Sequence, residues 1–242
     1  MTAHDGPDEA RRPGAGSGAT RSRVLKHDVF GTVSLVGDAA EDPQSVHILR
    51  DLTAARWWAR PLAYVLAARE ARALVRLDGK LPGVPKLIAW DGRRLTRSYI
   101  PGRPMQHAQP QDPAYFRAAL RLVRRLHAAG VVHNDLAKEP NWLVTPQGRP
   151  AIVDFQLAST APRRSARLRM QAHDDLRHLL KHKRTYCRDR LTEREWRVLA
   201  SPSLASRTWK RTGKPLYLFV TRRLLGWADR EGAGDRGPPG SR

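Results

Sequence analysis

No run of about 18 uninterrupted apolar residues occurs in this 242-residue chain, so the sequence holds no candidate transmembrane helix. Cysteine is nearly absent. Cys187 stands alone and cannot form an intrachain disulfide, which agrees with a reducing compartment. Met1 to Ser22 lacks the apolar core of a signal peptide, and a soluble cytoplasmic protein is the expectation. Acidic residues are few, 23 against 44 basic ones, and the formal net charge is +21. Lysine is scarce as well: eight of the basic residues are lysine and 36 are arginine. A charge of this size favours anionic partners such as nucleotides, nucleic acid, anionic lipid or phosphorylated glycan. Arginine scattered along every segment is equally what a GC-rich genome produces, so both readings stay open. With 40% hydrophobic residues the chain is too apolar to be disordered throughout. Its length suits one unit of two small lobes, or one ordinary domain with tails.

Residues 1–22 read as a disordered leader and 229–242 as a disordered tail, both polar and rich in Gly. Between them the pattern changes once. Residues 23–37 and 45–50 carry Val29, Phe30, Val33, Leu35, Val46 and Ile48 and predict strands. Residues 54–77 predict a helix with Trp58, Leu62, Val65, Leu66, Ala73 and Leu77 near one side. Residues 84–100 predict a hairpin around Asp91-Gly92. From residue 112 the chain turns helical. Asp112-Pro113 is a helix start and Gly130 a left-handed stop. Two short strands follow, Trp142 to Thr145 and Ala151 to Phe155. Further helices are expected at about 173–184, 192–200 and 215–227, the middle one opening on the capping box Thr192-Glu193-Arg194-Glu195. Strands first and helices afterwards predict an α+β fold.

One segment is more informative than the rest. Val131-Val132-His133-Asn134-Asp135-Leu136-Ala137-Lys138-Glu139-Pro140-Asn141-Trp142-Leu143-Val144 lies after a helix and before a hairpin. Asp154 comes thirteen residues after Asn141, in Ile152-Val153-Asp154-Phe155-Gln156. A lone loop aspartate is usually a cap or a turn residue. The joint order is far harder to produce by chance: helix, Gly, apolar pair, His-x-Asp-Leu, Asn, hairpin, Asp-Phe. It resembles the catalytic and metal-binding loops of protein kinases, H-R-D-x-x-x-x-N and D-F-G. The resemblance implies a two-lobed protein kinase-like fold, with a strand-rich N-lobe over 23–100 and a helical C-lobe over 101–228. It also implies ATP and Mg²⁺ as cofactors. Asp135 would orient an acceptor hydroxyl and take its proton. Asn141 and Asp154 would hold the metal, and Lys138 would reach the γ-phosphate.

Other pieces fall into that register. Val29-Phe30-Gly31-Thr32-Val33 resembles the second half of the glycine-rich phosphate loop, with Lys26 and Asp28 where its first two glycines would stand. Arg50 occupies the place of the nucleotide-binding lysine, and Glu70, twenty residues on, that of its carboxylate partner. Tyr99-Ile100-Pro101-Gly102 looks like the hinge that meets adenine. His173-Asp174-Asp175 resembles a helix start bracing the loop at His133. Within the kinase superfamily the chain resembles compact bacterial kinases related to RIO kinases and lipopolysaccharide (Kdo-type) kinases over roughly residues 24–184. About twenty residues separate Asp154 from Asp174, and Ala-Pro-Glu is missing, so a full activation segment is not expected. Three departures are explicit. Five residues, not four, separate Asp135 from Asn141; Gln156 replaces the Gly of D-F-G; and Arg50 replaces lysine.

The implied reaction is ATP-dependent transfer to a hydroxyl on a protein Ser/Thr or on a glycan. Two other classes stay open: a catalytically dead binding module, and an RNA- or ribosome-associated factor. Residues 201–228 are not explained by the resemblance. Leu216, Phe219, Val220, Leu224 and Trp227 form a stripe that packs on the core or lies on an anionic membrane face, and peripheral contact at the inner membrane stays open with it.

Overall fold

The computed structural model describes residues 22–37, 45–77, 80–162 and 165–201. The expected leader (apart from Ser22), the tail and the helix at 215–227 lie outside the described residues.

The N-terminal part is an antiparallel sheet. Strands β1 (Ser22–Asp28), β2 (Gly31–Val36) and β3 (His47–Asp51) come first, then helix α1 (Arg60–Leu77), then the hairpin β4 (Leu87–Trp90) and β5 (Arg94–Ser98). Their order in the sheet is β1-β2-β3-β5-β4. The hairpin turn forms where expected. Asp91 Oδ1 accepts from the amides of Arg93 (2.7 Å) and Arg94 (2.6 Å), an aspartate closing its own turn. Strand β3 runs one residue past the expected end, to Asp51, and alternates so that Ile48 and Arg50 are both buried.

After β6 (Arg103–Pro104) and the single turn α2 (Met105–Ala108), the chain is chiefly helical. It passes through α3 (Pro113–Ala128), β7 (Val131–Val132), β8 (Trp142–Val144), β9 (Pro150–Ile152), β10 (Ser159–Thr160), α4 (Ala166–Tyr186) and α5 (Glu193–Ala200). The arrangement is mixed α and β, a strand-rich antiparallel sheet followed by helices. The signals at helix ends hold: Asp112 caps α3 through the Ala114 amide, Gly130 sits at φ 74° beyond its end, and Thr192 and Glu195 form the capping box of α5. A core of Leu74, Leu77, Phe116, Val123, Leu126, Trp142, Phe155 and Leu179 gathers α1, α3 and α4 around β7 and β8.

Three expectations are corrected. Helix α1 begins at Arg60, not at residue 54. Of its expected apolar side, Ala73 and Leu77 are buried and Leu66 is half-buried, but Trp58, Leu62 and Val65 are exposed, and Ala63, Ala67, Ala71 and Leu74 are buried in their place. The buried side packs chiefly on the turn Phe155–Leu157, with alanines along most of it and Leu74 and Leu77 at its C-terminal end. The expected strand Ala151 to Phe155 ends at Ile152, because Asp154 takes a left-handed backbone (φ 67°) and Phe155–Leu157 form a 3₁₀ turn. Finally, α4 starts at Ala166, so His173-Asp174-Asp175 lies within the helix and not at its start.

Candidate functional site

The loop 133–141 leaves β7 and returns into β8, and helix α4 fixes it from below. Asp175, 1% exposed, accepts from the amide of His133 (2.9 Å) and the amide of Asn134 (3.0 Å). His127 Nε2 lies 3.2 Å from the same carboxylate. These bonds hold Asn134 in a left-handed conformation, φ 66°, that a non-glycine residue seldom adopts. The Asn134 side-chain amide donates to Leu157 O (2.9 Å) and Ser159 Oγ (3.0 Å). His133 is fully buried. Its Nε2 lies 3.0 Å from the Val153 carbonyl and its ring packs edge-on against Phe155. His133 thus ties the loop to the strand end that presents Asp154.

Beyond His133 the loop turns over Asp135. Asn141 Nδ2 donates to Asp135 Oδ2 (3.0 Å) and to its carbonyl (2.9 Å), and Lys138 Nζ lies 3.2 Å from Oδ2. The additional residue between Asp135 and Asn141 is taken up in a 3₁₀ turn, Glu139–Asn141. Buried Glu139 accepts from Tyr186 Oη at 2.8 Å, and the Leu136 carbonyl bonds Trp142 Nε1 (3.1 Å) and His182 Nε2 (2.8 Å). Burial pushes the Asp135 carboxyl above the ordinary carboxylate range. Lys138 opposes that shift, and the nearby Asp154 charge adds to it.

Asp154 is joined to this group through the backbone, since the Val153 amide donates to Asn141 O at 3.0 Å. Its Oδ1 is buried without a hydrogen-bond partner. An orphaned carboxylate oxygen in a dry site is costly unless a cation or donor meets it. The Asn141 amide nitrogen is engaged with Asp135, which leaves its side-chain oxygen for a ligand. No group of three His, Cys, Asp or Glu able to cage a metal exists among the described residues. Mg²⁺ commonly takes one or two protein oxygens and completes its shell with phosphate and water. Asn141 and Asp154 fit that demand.

On the sheet side stands a second charged group. Glu70 lies between Arg50 (Nη1 to Oε2, 3.6 Å) and Arg97 (Nε to Oε1, 3.1 Å), all three largely buried. Neither Arg50 Nη1 nor Glu70 Oε1 makes a hydrogen bond, so the contacts are ionic. Burial pushes the Glu70 carboxyl up. Arg97 and Arg50 oppose the shift, and Asp154 lies close enough to reinforce it. The two groups are thus close enough for their charges to act on one another. Arg97 was not singled out in the sequence. Its signal is alternation: it sits two residues from core-facing Leu95 and pairs in register with Ile48 beside Arg50.

The remaining sequence candidates are placed less centrally. Val33 pairs in register with Arg50. Gly31, at φ 123°, is demanded by packing, for a Cβ there would collide with the Asp51 carbonyl oxygen. Lys26 forms an ion pair with Asp28 (3.3 Å). The Tyr99 amide donates to Val46 O (3.3 Å), and Ile100 follows it on the way to β6.

The RIO-domain family model matches residues 50–195, from Arg50 through the 133–141 loop and Asp154 into α5. The chain belongs to the RIO domain family. RIO domains are protein kinase-like and make up a family of ATP phosphotransferases, which this chain joins through the segment holding both charged groups. The hairpin carrying Gly31 and Val33 lies outside the matched span. No curated protein matches the sequence.

Proposed function

We propose that this RIO-domain chain transfers the γ-phosphate of ATP to a hydroxyl group, in a cleft between a strand-rich lobe (23–100) and a helical lobe (101–228). The observation that carries the reading is the meeting of Asp135, Asn141 and the unpartnered oxygen of Asp154 beside the Arg50–Glu70–Arg97 group. Phosphoryl transfer asks mainly for positioned charge. Asn141 and Asp154 would hold Mg²⁺, which when bound neutralises phosphate charge. Asp135, with its carboxyl raised by burial, is a better proton acceptor than an exposed aspartate and would orient the acceptor hydroxyl. Lys138 would meet the γ-phosphate as a point charge. Arg50 would do the work of the usual lysine, held by Glu70 and supplying positive charge to a nucleotide phosphate. With the Tyr99 amide taken by Val46, Ile100 is the better placed of the two for an adenine edge. Val33 and Gly31 would cover the nucleotide from above.

The acceptor is a protein Ser/Thr or a glycan hydroxyl, and the cytoplasm is the proposed compartment. The test is Asp154→Ala, read by turnover and by Mg²⁺-dependent ATP affinity. Loss of both is expected. Unchanged Mg-ATP turnover would remove the metal assignment. Binding of ATP without any turnover in the unsubstituted chain would make it a nucleotide-binding module.

A further inference from the structure

The first turns of helix α1, and the turn before it, carry their large apolar residues on the outside. Its outward stripe runs Trp58, Leu62, Val65, Arg69, Arg72 and Arg76 at steps of three and four residues, continued from the turn that leads into the helix. Trp57, beside it, is 80% exposed, and Trp58, Leu62 and Val65 are 41%, 50% and 50% exposed. Contiguous exposed side chains of this size mark an interaction surface.

Charge decides what the surface accepts. The only acid of the helix, Glu70, is buried on the opposite face. Arg60, Arg72 and Arg76 donate to backbone carbonyls, and none of the stripe's arginines pairs with a carboxylate among the described residues. A second copy would bring the same positive stripe. The chain's own residues 202–242 hold nine Lys or Arg against three Asp or Glu, so they too are repelled. Nucleic acid would suit the arginines and stack on indoles, but it offers no apolar cover for Leu62 and Val65. An anionic bilayer surface takes all three kinds of side chain. Indoles lie at the headgroup level, Leu and Val reach the acyl chains, and guanidinium groups meet lipid phosphates.

We propose that the outer face of α1, from Trp57 to Arg76, docks on an anionic lipid surface. The proposal does not rest on phosphoryl transfer. The test uses the full chain, sedimented with phosphatidylcholine vesicles with and without phosphatidylglycerol. Binding only to the anionic vesicles is expected. Trp57→Ser/Leu62→Ser/Val65→Ser should weaken it by roughly tenfold or more, since each buried apolar group adds to membrane partitioning. Because these side chains are exposed, the melting temperature should not move; if it does, Arg69→Glu/Arg72→Glu must weaken binding in its place. Leu216→Ser/Phe219→Ser is measured alongside. Loss in that variant alone, with the α1 variants bound as the unsubstituted chain, overturns the proposal. So does equal binding to neutral vesicles, or no binding to anionic ones. Retention of RNA that the α1 variants lose, without vesicle binding, reassigns the face to nucleic acid.

Discussion

Glu70→Gln keeps the shape of a side chain that holds two buried guanidinium groups apart from water. Its oxygens stand 3.6 Å from Arg50 Nη1 and 3.1 Å from Arg97 Nε, and the side chain is 3% exposed. At an effective dielectric near 20, each of these attractions amounts to about 5 kcal/mol before desolvation, which cancels much of it. The substitution leaves that desolvation in place, because both arginines stay buried, and removes the anion that offset it. Breaking a buried ion pair from one side costs about 3–5 kcal/mol. That is a large share of the total stability of a domain this size. The assay is urea denaturation of the unsubstituted chain, Glu70→Gln, Arg97→Met and the double variant. Glu70→Gln should lose about 3–5 kcal/mol. Arg97→Met added to it should recover part of the loss, since one uncompensated charge is then gone. A loss below about 1 kcal/mol for Glu70→Gln would refute the reasoning, for it would mean that the arginines reach solvent without the carboxylate.

Three further outcomes follow from the geometry. Asp135 must be ionised to accept a proton, and its carboxyl is raised by burial; turnover should therefore fall on the acid side above the usual carboxylate range, and Lys138→Met should move that limb higher, as read from a pH–rate profile. If the limb moves down, Lys138 does not act on Asp135. Asp175→Ala should cost about 3 kcal/mol in thermal or chemical unfolding, because one buried and one partly buried amide lose a charged acceptor and Asn134 loses its restraint; a cost under about 1 kcal/mol would show that water replaces it. Gly31→Ala should destabilise the hairpin end by about 2 kcal/mol or more through the clash with Asp51 and the positive φ, whether or not ATP is present; a change confined to nucleotide affinity would instead make Gly31 a phosphate contact.

How far the sequence carried the structure differs by element. The 133–141 loop and Asp154 were legible because their spacing is local and their residue types are chemically constrained. Helix ends were legible for the same reason: Asp112, Gly130 and Thr192 act within one turn. The buried face of α1 was legible only in its last turns. Hydrophobicity pointed rightly to Ala73 and Leu77 but wrongly to Trp58, Leu62 and Val65, because the first turns of the helix pack through alanines and only the tertiary arrangement shows that. Arg50 and Glu70 were paired from position alone and do meet, whereas Arg97 required the register of β3 with β5. Of Asp174 and Asp175, the sequence left open which one reaches the loop. The helical phase of α4 selects Asp175, which is 1% exposed.

Helix α4 grips the 133–141 loop at two points a full seven residues apart, the Asp175 carboxylate on the amides of His133 and Asn134, and His182 Nε2 on the Leu136 carbonyl. In hydrogen-exchange terms this segment is not a loop. The amides of 133 and 134 cannot meet solvent catalyst until α4 lifts, so they should exchange with the slow, cooperative opening of that helix and not with the fast fraying typical of connecting segments. The residues that need the steadiest geometry thus borrow their order from a regular element, and the ordering entropy of the loop is met during folding and not when a ligand arrives.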